Sequence, residues 1–475
     1  MNAAAQHTST FRAMLVLAVP VLAEESLNLL VGYTDFFLAG RFLPGDEPLA
    51  AMGLMAYFLW LLWSQFSFVS IGALALVARM VGAGQRHEAA HATRQALLLG
   101  TLVAGVVVAA VLLGGGLLVH AMNLRGEAAR LAVRYIWIVA PAIPFLMLEH
   151  VGTACLRGTG DTVTGLLARV AVNGVNIFVS TALVTGYGPF PTLGWDGLAI
   201  GTACGHVVGG LFILWRLAQG RGGVSIADFG DSGRTARPMV AAVQVDWPLV
   251  RRILRVGIPG GVDVLSVLTC HLIYVAIINR LGTVAQAAHG LGVQIEAMSY
   301  LPGSAFQVAA ATLAGQALGA ADPRRAVRGV LLCVGSAAAI MTVAGLVLFF
   351  AGESLAVVFI GERNESALLV GHLLKIVALS CPPLAVLMVT SGALRGSGDT
   401  AWPLAFTFIG LVCVRIPGAC LLAWNEVPLP LLGVSIPGFG LGVAGAWWAM
   451  VADVILRSLL VAGRFLQGGW KKVSV

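Results

Sequence analysis

The chain has 475 residues, of which 58% are hydrophobic and only 11% are charged, and its mean hydropathy is +0.90. A soluble globular protein carries about 25% charged residues, so this composition excludes a water-exposed enzyme, a disordered regulator and a disulfide-rich secreted scaffold. The chain is therefore an integral membrane protein. Because a spanning helix needs about 20 apolar residues, its length has room for about a dozen helices with their loops.

The net charge of +7 does not require a nucleic-acid partner. Polytopic membrane proteins collect arginine and lysine in their cytoplasmic loops, and that bias alone gives a basic total. The seven cysteines lie in apolar stretches and form no CxxC pair. We therefore predict no structural metal site.

Twelve apolar segments are separated by polar or Gly/Pro-rich breaks, which predicts an all-α membrane protein with twelve transmembrane helices. The segments lie at about 12–39, 48–79, 88–120, 128–155, 162–187, 196–218, 249–280, 284–318, 324–351, 366–394, 400–424 and 441–465. If both termini are cytoplasmic, most lysine and arginine residues fall in the cytoplasmic segments, as is typical of membrane proteins. We expect the protein to lie in the plasma (inner) membrane. The longest polar stretch, 219–247, predicts a cytoplasmic linker between an N-terminal six-helix bundle (1–218) and a C-terminal one (248–475).

The two halves of the chain repeat each other in sequence. LRGTGDT at 156–162 recurs as LRGSGDT at 394–400, with six identities in seven at an offset of 238 residues. Pro20 and Pro259, near the start of each half, are 239 residues apart. Each half has six spans, an even number, so the repeat keeps its orientation in the membrane. This pattern predicts two bundles related by a pseudo-twofold axis along the membrane normal, as in several transporter folds.

Ionisable side chains inside the apolar segments are the first functional candidates, because each costs several kcal/mol in hydrocarbon. Glu24 and Asp35 in the first span are 11 residues apart, about three turns, which places them on one helix face with Asn28. A carboxylate in a low-dielectric environment has a raised pKa, so it can bind a proton near neutral pH or release it to a cation. We predict a cation- or proton-coupling site at Asp35 and Glu24. The alternative is that one of them only caps or pairs locally, which is the expected role of Glu25.

Neutral oxygens in the next spans extend this candidate site. The fifth span carries Asn173, Asn176 and Ser180 at positions i, i+3 and i+7, and the sixth span carries Thr202. Oxygen ligands of this kind suit a hard cation, so Asn176, Ser180 and Thr202 are expected to complete the coupling site. Hydrogen bonds between helices are the alternative explanation for these side chains.

The second half carries another polar set, which we expect to line the substrate cavity or a second-lobe polar site. Its members are Asp263, Gln294, Glu296, Tyr300 and Arg415. Arg415 is expected to neutralise an acid, with a structural pairing as the alternative. The i, i+4 pair Asp453 and Arg457 predicts a plain salt bridge.

The paired LRGTGDT and LRGSGDT loops do not bind phosphate, because they lack the Walker lysine and follow no strand. We predict tight turns in which Asp161 and Asp399 cap the next helix and Arg157 and Arg395 anchor the turn. Without a Walker A motif, an ATP-driven pump is not expected. We expect the chain to need no cofactor, with H+ or Na+ as the coupling ion.

The chain resembles the multidrug and toxic compound extrusion (MATE) family over nearly its whole length. The resemblance is carried by the paired loops, by the first-helix pattern PVLAEESLNLLVGYTDFFLAGRF and by the run HGLGVQIEAMSYLPGSAFQVAAATLAGQALGA at 289–320. It implies two six-helix bundles, a V-shaped central cavity, and export of organic, often cationic and amphipathic compounds driven by proton or sodium influx. The family's first-helix aspartate matches Asp35, its fifth-helix asparagine matches Asn176 and its sixth-helix threonine matches Thr202. One branch of the family has a second aspartate at the position of Ser180. Another branch has an acid in the tenth span, whereas the tenth span of this chain has no buried carboxylate.

The sequence thus predicts a non-enzymatic, secondary-active multidrug efflux antiporter that works by alternating access. Its expected partners are small organic substrates and the lipid bilayer, without nucleic acid, and it is expected to function as a monomer. The alternative is a lipid-linked precursor flippase of the same superfamily, which would need a more cationic cavity for pyrophosphate. An intramembrane hydrolase would need a nucleophile with a base, which no motif provides, and a passive channel does not fit the twofold repeat.

Overall fold

The computed structural model describes residues 10–122, 124–226, 244–429 and 434–473, and it is almost entirely helical. The helices of the first half are α1 (Thr10–Phe42), α2 (Glu47–Gly82), α3 (Arg86–Ala121), α4 (Gly126–Val139), α5 (Ile143–Thr159), α6 (Val163–Thr185) and α7 (Trp195–Ala218). Those of the second half are α8 (Trp247–Asn279), α9 (Thr283–Gly319), α10 (Pro323–Ile360), α11 (Glu365–Ala378), α12 (Cys381–Gly396), α13 (Ala401–Phe408), α14 (Ile416–Ala423) and α15 (Gly442–Gln467). Short 3₁₀ turns lie at Ala140–Ala142, Arg221–Gly223 and Gly469–Lys472.

The predicted all-α membrane fold with twelve transmembrane helices in two bundles is confirmed. Nine of the described spans are long and apolar enough to cross a bilayer, and α11 with α12 forms a tenth as a bent pair. The helices α9 and α15, with 37 and 26 residues, complete the twelve. Large apolar side chains cover the outside of these helices, as in Leu113, Phe350 and Val358, which are 88%, 79% and 78% exposed. In water such a surface would drive aggregation, whereas in a bilayer it contacts lipid tails.

The described chain divides into two compact units. Unit 1 contains the described residues up to Gly261 together with Gly315–Asp322, and unit 2 contains Val262–Ala314 and the described residues from Pro323 onward. The first half of α8 thus packs with unit 1. Most of the predicted linker 219–247, namely residues 227–243, lies outside the described residues.

The fourth span is broken in both halves at equivalent positions of the repeat. Between α4 and α5 the break is the 3₁₀ turn, and α11 and α12 meet at an angle of 53°. Pro144 and Pro382, 238 residues apart, are each the second residue of the helix that follows the break. Proline suits a helix start because its missing N–H would have no intrahelical partner there, and the same feature interrupts a continuing helix. Hydropathy continues across both breaks, so the sequence predicted a single span in each case.

The eleventh and twelfth spans are joined through a segment that the sequence did not predict. The strands β1 (Glu426–Leu429) and β2 (Val434–Pro437) pair antiparallel, with Glu426 opposite Pro437. A π-helical turn, Ile409–Arg415, separates α13 from α14. Such turns are rare and often occur at functional positions, and this one carries Arg415.

Candidate functional site

Helices α6 and α7 approach each other closely through glycines spaced four residues apart on α7. A Cβ atom on Gly201 would lie 2.0 Å from Ser180 Oγ, and one on Gly205 would lie 3.0 Å from the Val172 carbonyl oxygen. Small residues at this spacing let two helix backbones come together in a membrane. The close approach brings the polar face of α6 against Thr202 of α7.

Asp35, Asn176, Ser180 and Thr202 form one buried cluster within unit 1, as the sequence predicted for four of its five coupling-site candidates. Each of the four is at most 2% exposed. Thr202 Oγ1 donates to Asp35 Oδ2 at 3.1 Å, and Asn176 Nδ2 lies 3.4 Å from Asp35 Oδ1. The same amide nitrogen lies 3.2 Å from Thr202 Oγ1 and 3.5 Å from Ser180 Oγ. Helices α1, α6 and α7 thus converge on one carboxyl group.

Tyr135 is a member of this cluster that the sequence analysis missed. It lies on α4, is fully buried, and donates from its hydroxyl to Thr202 Oγ1 at 3.1 Å. Its ring packs against Trp195 at a centroid distance of 5.8 Å. A lone tyrosine in an apolar span carries no spacing signal, and only the packing of α4 against α7 reveals its role.

Asp35 has only neutral hydrogen-bond partners in the described part of the chain. The other fully or nearly buried acids each contact a guanidinium group, as in Glu24, Glu149, Asp263, Asp399 and Asp453. Burial disfavours a charged carboxylate, while the hydroxyl and amide donors favour it, so the two influences on Asp35 oppose each other. A carboxyl group in this balance can change its protonation or bind a cation without first breaking an ion pair.

Glu24, the fifth coupling-site candidate, has a different environment. Its Oε2 lies 2.9 Å from an Nη of Arg157 in the first repeat loop. In unit 2, Asp263 pairs in the same way with Arg395 of the second repeat loop. Because the acids are 239 residues apart and the arginines 238, the two pairs are equivalent in the repeat. This equivalence favours an anchoring role for Glu24 and Asp263.

The two repeat loops use their aspartates differently. Asp161 accepts from the backbone N–H of Thr164 at 3.0 Å, as predicted for a cap at the start of α6. Asp399 instead accepts from Arg464 Nε at 3.0 Å and so ties the second loop to α15. The predicted anchoring arginines, Arg157 and Arg395, both hold acids on other helices.

The second-lobe candidates do not form one cluster. Arg415 contacts Asp453 at 2.8 Å, and Arg457 binds the same carboxylate through two hydrogen bonds of 2.7 and 2.6 Å. Glu296 is half-buried, while Gln294 and Tyr300 are exposed. The acid that Arg415 neutralises is therefore Asp453, which shares its charge between two arginines. No three His, Cys, Asp or Glu side chains converge as metal ligands among the described residues.

Comparison with known proteins identifies the family. The MatE family description matches two segments, 20–181 and 259–421, which are the two repeats of the chain. The chain belongs to the MatE family. It is therefore a MATE-type, multi-pass membrane transporter and not an enzyme.

Related sequences agree over almost the full length. The chain is 28% identical over 467 residues to a "Probable multidrug resistance protein NorM" from Thermotoga maritima, covering 98% of this chain and 94% of that protein. It is 27% identical to "Multidrug resistance protein MdtK" from Cronobacter sakazakii, with coverages of 95% and 94%.

A solved structure has the same fold. An outward-facing multidrug resistance MATE family transporter of the MOP superfamily superposes with a TM-score of 0.84 at 20% identity, covering 98% of both chains. At this identity the likeness concerns the fold, and the MATE transporter fold extends over the whole chain.

Proposed function

We propose that this MATE transporter is a secondary-active multidrug efflux antiporter of the plasma (inner) membrane. It exports organic, often cationic and amphipathic compounds in exchange for H+ or Na+, and both of its termini lie in the cytoplasm. The single observation that supports coupling at a defined site is Asp35, a buried acid whose two hydrogen-bond partners in the described part of the chain, Asn176 and Thr202, are both neutral. The multidrug resistance relatives support the substrate class.

In this proposal Asp35 alternates between a free carboxylate and a form that carries the coupling ion. In the free form, Thr202 and Asn176 donate to its two oxygens and stabilise the charge. Ion binding neutralises the carboxylate and changes the hydrogen bonds between α1, α6 and α7. Because a ligand shifts a conformational equilibrium only by its differential affinity, this rearrangement biases the transporter between its inward-open and outward-open states.

The cluster has the donors and acceptors for either ion. The Asn176 amide nitrogen faces Asp35 and the hydroxyls of Ser180 and Thr202, and these hydrogen-bonding groups suit a carboxyl group that gains and loses a proton. Rotation of the Asn176 amide by half a turn would present Oδ1 to these groups instead of the nitrogen. Oxygens of Asp35, Asn176, Ser180 and Thr202 would then surround a sodium ion.

The proposal is tested with purified protein in proteoliposomes loaded with a fluorescent cationic dye, under a proton gradient or a sodium gradient imposed separately. We expect dye export with at least one gradient, and Asp35→Asn should abolish it. Glu127→Gln, in an exposed ion pair with Arg130, serves as the matched control and should export normally. Dye export by Asp35→Asn at the rate of the unmodified protein would contradict coupling at Asp35. Lipid-precursor flipping without dye export would favour the flippase.

A further inference from the structure

A polar cavity lies inside unit 1, apart from the Asp35 cluster. It has a volume of about 150 Å³ and is lined by side chains from α1, α2, α5 and α6. Its ionisable lining residues are Glu24, Glu25, Glu149, His150, Arg157 and Arg169. None of these groups belongs to the coupling site proposed above. Glu24 was a candidate for it from the sequence alone.

Glu149 and His206 form the connection between this cavity and α7. Glu149 lines the cavity, and its Oε1 lies 3.0 Å from Nδ1 of His206, which is outside the cavity lining. Both residues are buried, at 6% and 3% exposed. A carboxylate bound to Nδ1 selects the tautomer that carries its proton there, so Nε2 of His206 is the atom that can accept a further proton.

The series of glycines spaced four residues apart on α7, Gly201 and Gly205, continues with Gly209 beside this pair. A Cβ atom on Gly209 would lie 2.5 Å from Glu149 Oε1, so only glycine leaves room for the carboxylate at this point. On the other side of the carboxylate, Arg169 of α6 lies 3.7 Å from Oε2. The pair is thus held between α5, α6 and α7, the last two of which also carry the Asp35 cluster.

Two helix faces lead from Asp35 to this pair. On α7, Thr202 contacts Asp35 and His206 follows four residues later, one turn along the same face. On α6, Asn176 contacts Asp35, and Asn173 and then Arg169 follow on the same face in the opposite chain direction. With the proposed topology, α7 runs inward and α6 runs outward, so both faces lead toward the cytoplasmic side.

A buried, unpartnered oxygen lies along this path. Asn173 is 4% exposed, its amide nitrogen donates to the Arg169 carbonyl oxygen, and its Oδ1 has no hydrogen-bond partner within the described ranges. Buried polar atoms are nearly always satisfied, often by an internal water. The path proposed below places a water on Asn173 Oδ1, between Thr202 and His206.

We infer that His206 and Glu149 form the cytoplasmic half of a proton path that connects Asp35 with the polar cavity. The inference rests on the proposed function and specifies its coupling ion as a proton. A proton leaves the Asp35 carboxyl group and moves along the Thr202 hydroxyl and one water to Nε2 of His206. The resulting imidazolium gives its Nδ1 proton to Glu149, and the Glu149 carboxyl group releases it to water in the cavity. No group is oxidised or reduced, and after reorientation of the ring each side chain returns to its starting form.

Charged groups of α1, α5 and α6 surround this pair, while α2 contributes the neutral Trp63 to the cavity. Arg169 of α6 stabilises the Glu149 carboxylate, and Arg157 and His150 lie on the same helix as Glu149. Across the cavity, α1 contributes Glu24, which is paired with Arg157, and Glu25, which accepts from Asn28 at 3.2 Å. The three acids outnumber the two arginines by one charge, so the cavity keeps a net negative charge that favours a passing proton.

The test measures two activities in proteoliposomes with one cationic dye: net dye efflux and the exchange of internal for external dye. Net efflux driven by a proton gradient requires proton release, whereas dye-for-dye exchange without a gradient does not. We expect Glu149→Gln and His206→Gln to slow net efflux about a hundredfold, a typical effect of losing a proton-transfer group, and to leave exchange nearly unchanged. Glu149→Asp keeps an ionisable carboxyl group and should retain net efflux, although glutamine is closer to glutamate in shape.

A purely structural role gives the opposite pattern. Glutamine can still hydrogen-bond to His206, so a structural Glu149 would tolerate Gln better than Asp, and any loss would affect net efflux and exchange equally. Either of these results, or net efflux that responds to sodium alone, would overturn the proton path. His289→Gln, at a buried histidine of unit 2 that accepts from Trp447, is the matched control and should behave normally in both assays.

The same experiment keeps the two proposals distinguishable. If Asp35→Asn loses net efflux while Glu149→Gln and His206→Gln retain it, coupling at Asp35 stands and the proton path is wrong. If Asp35→Asn retains net efflux, coupling at Asp35 is wrong, and the path has no starting point. If a variant also loses exchange, the net efflux rates of Glu149→Asp and Glu149→Gln still decide between the two roles. A higher rate for Glu149→Asp indicates a proton carrier, and a higher rate for Glu149→Gln indicates a structural hydrogen-bond acceptor.

Discussion

Thr202 Oγ1 donates a hydrogen bond of 3.1 Å to Asp35 Oδ2 across 167 positions of the chain. The same oxygen lies 3.2 Å from the amide nitrogen of Asn176 and 3.1 Å from the hydroxyl of Tyr135. One threonine hydroxyl therefore joins side chains from α1, α4 and α6 to α7. This hydroxyl and the Asn176 amide nitrogen each make three contacts within the Asp35 cluster.

Replacing Thr202 by valine keeps the shape of the side chain and removes that hydroxyl. Asp35 then loses one donor, and Asn176 and Tyr135 each lose an acceptor. Since each buried polar group left unsatisfied costs about 1–3 kcal/mol, we expect the half-saturating ion concentration for dye efflux to shift by about tenfold or more. The measurement is efflux rate against proton or sodium concentration in proteoliposomes.

Two further variants delimit this effect. Thr202→Ser keeps the hydroxyl and should preserve the ion dependence, whereas Tyr135→Phe removes only one peripheral donor and should shift it less than Thr202→Val. An unchanged ion dependence in Thr202→Val would show that the hydroxyl has no part in coupling.

The equivalent ion pairs Glu24–Arg157 and Asp263–Arg395 make a prediction about stability. Removing one partner of a buried pair leaves an uncompensated charge and costs about 3–5 kcal/mol. We therefore expect Arg157→Met and Arg395→Met each to lower the unfolding temperature in detergent markedly. Adding Glu24→Gln to Arg157→Met should restore much of the loss, because the stranded charge is removed.

An exposed ion pair provides the comparison for these variants. Arg130 and Glu127 approach to 2.7 Å, but their side chains are 78% and 45% exposed. Exposed pairs contribute about 0–1 kcal/mol, so Arg130→Met should leave the unfolding temperature nearly unchanged. Equal effects of Arg130→Met and Arg157→Met would argue against an anchoring role for the repeat arginines.

The glycine contacts of α7 predict which small substitutions the transporter tolerates. At Gly201 a Cβ atom would lie 2.8 Å from the Ser180 backbone nitrogen as well as 2.0 Å from Ser180 Oγ, so Gly201→Ala must move α7 away from α6. Overpacking of this kind costs about 1–3 kcal/mol, and here it also separates Thr202 from Asn176. We expect a lower unfolding temperature together with weaker ion coupling, measured on the same preparation.

Gly174 on α6 is the matched control for this substitution. A Cβ atom there would meet no other atom within 4 Å. Alanine has the higher helix propensity by about 1 kcal/mol, so Gly174→Ala should be neutral or stabilising. Loss of coupling in Gly174→Ala would mean that the effect of Gly201→Ala does not arise from the α6–α7 contact.

Asp246, which precedes α8, gives a pH-dependent prediction outside the spans. Hydrogen bonds from His91, at 3.0 Å, and from the Leu249 backbone N–H, at 3.1 Å, hold the pKa of Asp246 below its ordinary value. A lowered carboxyl pKa in the folded state contributes stability above the ordinary value of about 3.9, and this contribution is lost as pH falls through the folded-state pKa. His91→Ala should therefore raise the pKa of Asp246.

The corresponding measurement is the unfolding temperature of both proteins as a function of pH. We expect His91→Ala to be less stable than the unmodified protein at about pH 5, with the difference shrinking as the carboxyl group becomes protonated. His372→Ala, at an exposed histidine of α11, should show no such convergence. A stability difference that stays constant down to low pH would exclude Asp246 as its source.

Several features of the protein could be predicted from the sequence because they depend on composition and local pattern. Twelve apolar segments of spanning length required twelve helices. In lipid every backbone N–H and C=O needs a hydrogen-bond partner, and an α-helix provides these partners within a single segment. The LRGTGDT and LRGSGDT repeat predicted two equivalent halves, and the MatE match to both repeats agrees with it. Helical periodicity placed Asn176 and Ser180 on one face. Asp35 stood out because a buried acid in a membrane span is costly.

Only the tertiary structure decided which of these polar residues are partners. Glu24 and Asp35 share a helix and a residue type, yet Glu24 pairs with Arg157 while Asp35 meets only neutral groups. The difference arises from which helix faces each position, and for Asp35 the neighbours are brought together by packing at Gly201 and Gly205, far away in the sequence. Tyr135 and His206 gain their roles in the same way. A spacing pattern reports the faces of single helices, whereas the chemistry of a buried acid depends on the side chains that neighbouring helices bring to it.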